Sequence, residues 1–433
     1  MTHPTPSLQE IASCLSGYDP NALPVEQAQA FIARLVPRVQ AIEMLPLRAA
    51  LGRVLARDIV SDFDVPSADN SAMDGYALRG TELAEHAPTE LQIVGTGYAG
   101  AAFEGPPPGP GQCVRIMTGA VMPTGLDTVV PQEYARLLGD RIVIPARAVR
   151  LGDNRRLAGE DLARGAAALK AGRLVRPADL GLMASLGRAE VAVFRRLRVA
   201  FFSTGDELRS VGEALAPGCI YDSNRYTLWG MLQRLGVEVL DLGVVRDEPV
   251  ALEAAFRHAA LAADAVITSG GVSVGEADHT KHVMARLGDV LFWRIAMRPG
   301  RPMAIGRIGA GAGGAPGAIL FGLPGNPVAV MVTFYAFVRD ALLAMSGATP
   351  QPLPLLRAAS VAPLRKKPGR TEYQRGWVSQ NARGDWQVEV TGSQGSGILR
   401  SMSEANGLVV LSHGQGDVAA GEPVDVLPFD GLI

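Results

Sequence analysis

Residues 198–347 alternate apolar strand-like runs with helix-like ones: RVAFFSTGDEL, RYTLWGMLQRLG, VEVLDLGVV, PVALEAAFRHAALA, DAVITSGGVSVG, DHTKHVMARLG, FWRIAM, PMAIG, GAILFGLPG and NPVAVMVTFYAFVRDALLAMSG. Consecutive parallel strands need a crossover connection, usually a helix, so this spacing predicts parallel strands joined by crossover helices. The expected unit is a three-layer α/β domain at 195–347.

The flanks read differently. From residue 24 to about 45, VEQAQAFIARLVPRV has helical periodicity, with Ala28, Phe31, Ile32 and Leu35 on one face. Short β-rich runs (LQIVGTG, CVRIMTG, DTVVPQE, DRIVIPA), cut by glycine and proline, predict a small β-rich domain over 61–149. Helical signals resume in PADLGLMASLG, with Pro177 at its first position. Segments 1–60 and 150–190 would then form one split N-terminal domain into which the β-rich domain is inserted. The tail, 350–433, alternates polar and apolar residues (EYQRGWV, WQVEV, GLVVL, PVDVLPF), which suits a small β barrel or sandwich.

Composition removes whole classes of function. Lysine plus arginine number 41 against 43 acids, a formal charge of -2, so no overall basic field recruits nucleic acid or an anionic membrane. Any anion site must be built locally. Three scattered cysteines, Cys14, Cys113 and Cys219, exclude a disulfide framework and a cysteine-based zinc site, and they fit a reducing cytoplasm. The start, MTHPTPSLQEIASCL, lacks a basic segment followed by an apolar run, and no apolar stretch approaches the ~20 residues that span a bilayer. A cytoplasmic protein is expected.

In an open parallel sheet, ligands bind beyond the carboxyl ends of the strands. There the sequence places STGDEL (203–208), SGGVSVGEAD (269–278) and GLPGNP (322–327), each with glycine. Glycines leading into a helix let backbone N–H groups approach an anion, and the helix dipole favours negative charge. Taken alone, the SGGVSVGEAD stretch better suits a tight turn with Asp278 as helix N-cap. Neither G-x-G-x-x-G nor a GK[ST] ending is present in it, so ordinary dinucleotide and P-loop readings are unsupported.

Asp206, Glu207, Asp247, Glu276 and Asp278 fall at or just past expected strand ends. Singly, each suits a cap or a surface charge. Together, beside an anion cradle, they would repel a phosphate unless a divalent cation lay between, which points to Mg²⁺. FWRIAMRPGRPMAIG sets Arg294, Arg298 and Arg301 around a Pro-Gly turn, which suits either arginine forks matched to a tetrahedral oxyanion or an exposed edge with scattered basic charge. Arg370, Arg375, Ser393 and Ser396 in the tail offer further donors, or ordinary turn chemistry. DNSAMDGYALRG, RIMTGAVMP and GEDLARG read as loop or hairpin signals. The His279/His282 pair lacks a third ligand at zinc spacing and reads as solvated helix residues.

These motifs, DNSAMDGYALR, RIMTGA, GEDLARG, STGDEL, YDSNRYTL, SGGVSVGEADHTK, RPGRPMAIG, GLPGNPVAV and GRTEYQRG followed by TGSQGSG, stand in the order seen in the molybdenum insertase family. The chain resembles this family, the molybdopterin molybdotransferases called MoeA in bacteria, over about residues 20–430, and is similar to the E domain of gephyrin. The resemblance implies a cytoplasmic homodimer that inserts molybdate into adenylylated molybdopterin, with Mg²⁺-assisted release of AMP. Molybdopterin adenylyltransferase and cofactor-free molybdoenzymes would be transient partners.

By position, Glu207, Asp247 and Asp278 match family acids needed for activity and would hold Mg²⁺. Asp69, Thr118 and Asp161 match functional positions in the smaller domains, which in the family approach the partner's cleft. Gly205, Gly270, Gly271, Ser273, Gly275, Pro324, Gly325 and Pro327 fall on the turns that would meet the cofactor. Arg375 and Ser396 match oxyanion-binding positions. Where the family commonly has lysines in FWK and KPGKP, this chain has Arg294, Arg298 and Arg301, which keeps charge but exchanges a compact ammonium for a planar fork. Two other readings stand beside this one: the preceding adenylylation step, whose single-domain proteins share the STGDEL and SGGVSVG turns, and a cofactor-binding scaffold.

Overall fold

A computed structural model describes residues 21–272, 279–309 and 317–429, with Leu8 and Asp19 besides. Its chain forms two compact units: Met1–Ala56, Gly172–Arg176 and Glu190–Ile433 make the first, Arg57–Ala171 and Pro177–Ala189 the second.

The first unit is built on a six-stranded sheet. Its elements are α1 (Val25–Leu35), β1 (Arg198–Thr204), α2 (Ser223–Arg234), β2 (Glu238–Val245), α3 (Pro249–Ala262), β3 (Ala265–Ser269), α4 (His279–Leu287), β4 (Gly288–Arg294), β5 (Pro302–Ile308), β6 (Ala318–Leu323) and α5 (Pro327–Thr333). Strand order is β2-β1-β3-β6-β5-β4. The first four are mutually parallel.

Side chains alternate along each strand, so the sheet needs cover on both faces. Val199 and Phe201 pack with Leu228 and Leu232 of α2 and with Phe31 of α1, while Ala200 and Phe202 pack with Leu252 and Phe256 of α3 and Met284 of α4. The three layers expected from the alternation are present. The Phe31 and Trp293 rings meet edge to face at 4.8 Å.

Three details depart from the sequence reading. β5 runs antiparallel to both of its neighbours, β4 and β6, so one strand of the six runs against the other five. Only seven residues separate β4 from β5, too few for a crossover helix, and Met297–Arg298 within them form a short strand of their own. Helix α1 ends at Leu35, ten residues before the expected limit, because the residue preceding Pro37 is driven to extended backbone, as Val36 is. Residues Pro327–Met345 run as one 19-residue helix of length and composition sufficient to cross a bilayer. Val328, Val330, Phe334, Phe337 and Leu342 are buried in the core around it, and that packing accounts for its apolar sequence.

The tail closes into a five-stranded barrel in the order Thr371–Gln380, Trp386–Val390, Leu356–Ser360, Pro423–Pro428, Gly407–Leu411 and back to Thr371–Gln380. Met297–Arg298 pairs in parallel with Thr371 and Glu372 of the first barrel strand. That pairing fixes the barrel beside the loop between β4 and β5.

The second unit carries a six-stranded sheet in the order Thr128–Pro131, Gly75–Leu78, Gln112–Ile116, Thr89–Gly97, Arg141–Ile144 and Arg136–Leu138. Alternation along Gly75–Leu78 puts Tyr76 and Leu78 into one core cluster and Ala77 into another. Pro177–Ser185 is helical from Pro177, as expected.

Candidate functional site

The carboxyl ends of β1, β3 and β6 open into a cleft of about 1240 Å³ in the first unit. Its floor is formed by the three glycine turns. Gly270 has φ of +92°, and a Cβ there would lie 2.4 Å from the Thr204 carbonyl oxygen; Gly271 has φ of +65°, and its Cβ would lie 2.4 Å from Thr280 Oγ1. Only glycine fits either position, because both the backbone region and the space exclude a side chain. The ends of β1 and β3 thereby approach closely enough to make one continuous floor.

Two helix amino ends meet that floor. Asp222 caps α2, its Oδ1 accepting from the Arg225 N–H at 3.1 Å. Asn224 Nδ2 donates to Ser269 Oγ at 2.8 Å and to the Gly325 carbonyl at 2.7 Å, tying α2 to β3 and to the turn before α5. Those two acceptors orient the amide with Oδ1 away from them. Asp222 Oδ2, Asn224 Oδ1 and Thr204 Oγ1 are buried in this wall with no partner among the described residues. Buried polar atoms are almost always paired, so this cluster marks a place completed by water or ligand.

Of the expected residues, Gly205, Glu207, Asp247, Gly270, Gly271, Arg298, Arg301, Pro324, Gly325, Pro327 and Ser396 line the cleft together. Ser273, Gly275 and Asp278, with Glu276, lie outside the described residues. Arg294 is exposed at the end of β4 and is not part of the lining; its carbonyl accepts from Leu23. The Glu207 carboxylate has no hydrogen-bond partner among the described residues, and Asp247 Oδ1 accepts one long bond, 3.4 Å, from Thr280 Oγ1. Among the described residues no three His, Cys, Asp or Glu side chains cluster as a metal cage. Two carboxylates with free oxygens beside an anion cradle do fit Mg²⁺, which takes one or two protein carboxylates and completes its shell with phosphate and water.

The barrel supplies the opposite wall through Arg370 and residues 394–397. The two arginines of GRTEYQRG have separate surroundings. Arg370 is about a third exposed and is held from behind by the buried carboxylate of Glu372, at 2.7 Å. Arg375 is 1% exposed and lies behind the wall rather than in its lining. Its Nε donates to Ser401 Oγ, Nη1 to the Gln394 carbonyl, and Nη2 to the Ser393 and Gly395 carbonyls. Burial, and secondarily the charge of Arg298, lowers its pKa to about 10, so it remains a cation at neutral pH. Ser396 Oγ accepts from Asn326 Nδ2 at 3.1 Å.

Asp69, Thr118 and Asp161 lie in the second unit, where three distant motifs meet. Residue 69 is joined to the 117–122 loop by the Met122 N–H to its carbonyl, and to the 157–162 loop by the Ala158 N–H to its Oδ1 at 2.8 Å. Thr118 donates from both N–H and Oγ1 to Asp74 Oδ1, at 2.7 and 2.8 Å. The Asp161 N–H bonds the Val65 carbonyl, and its side chain is exposed. His279 and His282 are exposed on α4, as expected.

Sequence reasoning passed over Asp222, Asn224, Thr204 and Asn326. YDSNRYTL carries an N-cap signature ahead of a helix inside a βαβ unit, and that context places its polar side chains at the carboxyl ends of the strands.

Comparison with known proteins gives one consistent result. Residues 23–187 match the MoeA N-terminal region (domain I and II), 200–344 match a probable molybdopterin binding domain, and 357–429 match the MoeA C-terminal region (domain IV). A molybdopterin molybdenumtransferase of Haemophilus influenzae is 41% identical over 412 residues, covering 95% of this chain and 100% of that protein. One from Nostoc sp. is 38% identical, covering 92% and 91%. The crystal structure of the molybdopterin biosynthesis moeA protein of Pyrococcus horikoshii OT3 superposes with a TM-score of 0.80 at 27% identity, over 94% of this chain and all of that one.

Proposed function

This chain belongs to the molybdopterin molybdenumtransferase family, a transferase family of molybdenum cofactor biosynthesis, and from that premise we propose the reaction its cleft performs. The substrate is adenylylated molybdopterin, the second substrate is molybdate, and the products are AMP and the molybdenum cofactor. The observation that carries this reading is the division of charge in one cleft: free carboxylates Glu207 and Asp247 on the sheet side, and Arg298, Arg301 and Arg370 toward the barrel side.

A phosphoanhydride needs its charge neutralised at the point of cleavage, and an incoming tetrahedral oxyanion needs cationic forks. Glu207 and Asp247 would hold Mg²⁺ against the pyrophosphate, and the ion would supply charge neutralisation of the phosphate oxygens. The turns at Gly205, Gly270, Gly271 and Gly325 let the backbone approach phosphate closely, and the amino ends of α2 and α5 favour its negative charge. Arg298, Arg301 and Arg370 hold molybdate beside the acceptor, which makes its transfer intramolecular within the bound complex.

The same proposal includes a cytoplasmic homodimer in which Asp69, Thr118 and Asp161 of one protomer serve the other protomer's cleft. It also includes delivery of substrate by an adenylyltransferase and acceptance of product by cofactor-free molybdoenzymes. The decisive experiment measures AMP release from adenylylated molybdopterin by the purified chain with Mg²⁺, with and without molybdate, together with activation of a cofactor-free molybdoenzyme. Molybdate-dependent release with activation is expected. Adenylate formation from ATP would assign the preceding step instead, and tight cofactor binding without turnover would assign a carrier.

A further inference from the structure

Arg375 donates to three successive carbonyls, those of Ser393, Gln394 and Gly395, from beneath the wall of the cleft. A trans peptide is planar, with its C=O and N–H on opposite sides, so carbonyls drawn toward the guanidinium send the N–H groups of Gln394, Gly395 and Ser396 the other way. All three residues line the cleft, and among the described residues none of these N–H groups donates to a protein acceptor. Successive unpaired N–H groups on one side of a turn form an anion-binding concavity.

We propose that Arg375 is a positioning residue that acts through the 393–397 turn, and that the Gln394, Gly395 and Ser396 amides are the donors meeting the oxyanion. The guanidinium itself does not touch the ligand. Four of its five N–H donors go to protein acceptors and the residue is 1% exposed; Nε goes to Ser401 Oγ, which itself donates to the Ile398 carbonyl, so the arginine also anchors the helix that follows the turn. Gln394 reinforces the arrangement by bridging back, its Oε1 accepting from the Arg375 N–H at 2.8 Å and its Nε2 donating to the Thr391 carbonyl at 2.9 Å. The positive charge beneath three carbonyls polarises the peptides whose N–H ends face the cleft, which strengthens them as donors. Lys366 does comparable work elsewhere in the barrel, where its ammonium holds the Lys367, His413 and Gln415 carbonyls.

Identification of that oxyanion as molybdate rests on the functional reading above, so the test has two arms. The first is hydrogen exchange of residues 393–398 in wild type and Arg375→Met, without ligand and with molybdate alone. In the variant, ligand-free exchange of this turn rises while the barrel strands stay protected, and protection by molybdate disappears. The second arm is steady-state turnover: Arg375→Met raises the molybdate KM about tenfold or more, as loss of an orienting group does, while kcat and the KM for adenylylated molybdopterin stay within about twofold. Arg375→Lys recovers part of the loss, because an ammonium can serve three carbonyls.

Unchanged ligand-free exchange with a raised molybdate KM would mean direct contact, and exchange rising across the whole barrel would mean a purely structural role; either overturns the proposal. Should Arg375→Met fail to fold, Ser401→Ala removes one anchor alone and shifts the same quantities in the same direction by about two- to threefold; no shift there overturns the proposal as well. A wild-type chain whose turnover ignores molybdate defeats the functional reading, and the ligand-free exchange arm then decides the positioning role by itself.

Discussion

Glu207 and Asp247 in the cleft and the acids on the motif face of the second unit have opposite circumstances. In the second unit Asp69 accepts from the Ala158 N–H, Asp74 from Thr118 twice, Asp64 from the Arg164 N–H and Glu160 from the Leu157 N–H. Those carboxylates hold loops together. In the cleft Glu207 has no partner among the described residues and Asp247 has one long bond. A carboxylate already bonded to backbone N–H groups is committed to local structure, whereas one left free beside glycine turns and arginines has its lone pairs available for a ligand. The same residue type therefore maintains a surface in one unit and equips a site in the other.

The largest effect should come from the free acids. Glu207→Gln or Asp247→Asn is expected to lower AMP release on the order of 100-fold while leaving the melting temperature where it is. A melting temperature that fell along with activity would place these acids with the loop-holding kind and erase the contrast. Next in size is a comparison of two glycines with positive φ. Gly270→Ala meets both a forbidden backbone region and the Thr204 carbonyl oxygen at 2.4 Å, so a loss of about 3 kcal/mol is expected. At Gly119 of the second unit the nearest atom to an added Cβ is 3.9 Å away, so Gly119→Ala carries only the backbone cost of about 1 kcal/mol. Chemical denaturation of the two variants side by side measures the difference; equal losses would mean that the floor of the cleft yields.

What was legible in the sequence follows the same division. Apolar periodicity is a property of whole segments, so the alternation over 198–347 and the buried face of α1 at Ala28, Phe31, Ile32 and Leu35 could be read directly. The reversed direction of β5 could not, since strand polarity depends on the length of the connection from β4, and FWRIAM and PMAIG look alike in either sense. Glycine turns at strand ends pointed to Gly205, Gly270, Gly271 and Gly325 because backbone chemistry follows from residue type. Arg375 marks the limit: residue type announces a cation, but only packing decides whether its guanidinium faces a ligand or, as here, three carbonyls. Asp222 and Asn224 were hidden for the converse reason, since an N-cap signature explains them fully until the unpaired Oδ2 and Oδ1 are seen in the wall.

A smaller effect concerns a paired acid within the first unit. Asp264 accepts both arms of Arg195, at 2.8 and 2.6 Å, and the Arg198 N–H at 2.8 Å. Burial raises its pKa, but these hydrogen bonds and the arginine charges outweigh burial and leave it below the ordinary aspartate value of 3.8. Because the folded value is depressed, the pair contributes its full share above the unfolded pKa and loses it as pH falls through the folded one. Asp264→Asn should therefore cost about 2 kcal/mol at pH 7 and progressively less below pH ~4, read as a flattened acid limb in urea denaturation. A penalty that persisted at pH 2 would assign the loss to geometry rather than charge.

The smallest effect returns to the second unit and tests whether its committed acids are local in their action. Hydrogen bonds from the Thr118 backbone and then its hydroxyl hold Asp74 below the usual aspartate range, so the contact should outlast mild acid. Asp74→Ala removes both bonds at once from an exposed loop whose strands, Gly75–Leu78 and Gln112–Ile116, remain paired through their own ladder. Exchange of the Thr118 amide is expected to accelerate several-fold, with the amides of Gly75–Leu78 and the global melting temperature unaffected. In wild type the same amide should stay protected down to pH values below 3.8 and then loosen as Asp74 takes up its proton. If Asp74→Ala instead melted the sheet, the acids of this face would be props of the core, and their contrast with Glu207 and Asp247 would be one of burial rather than of commitment.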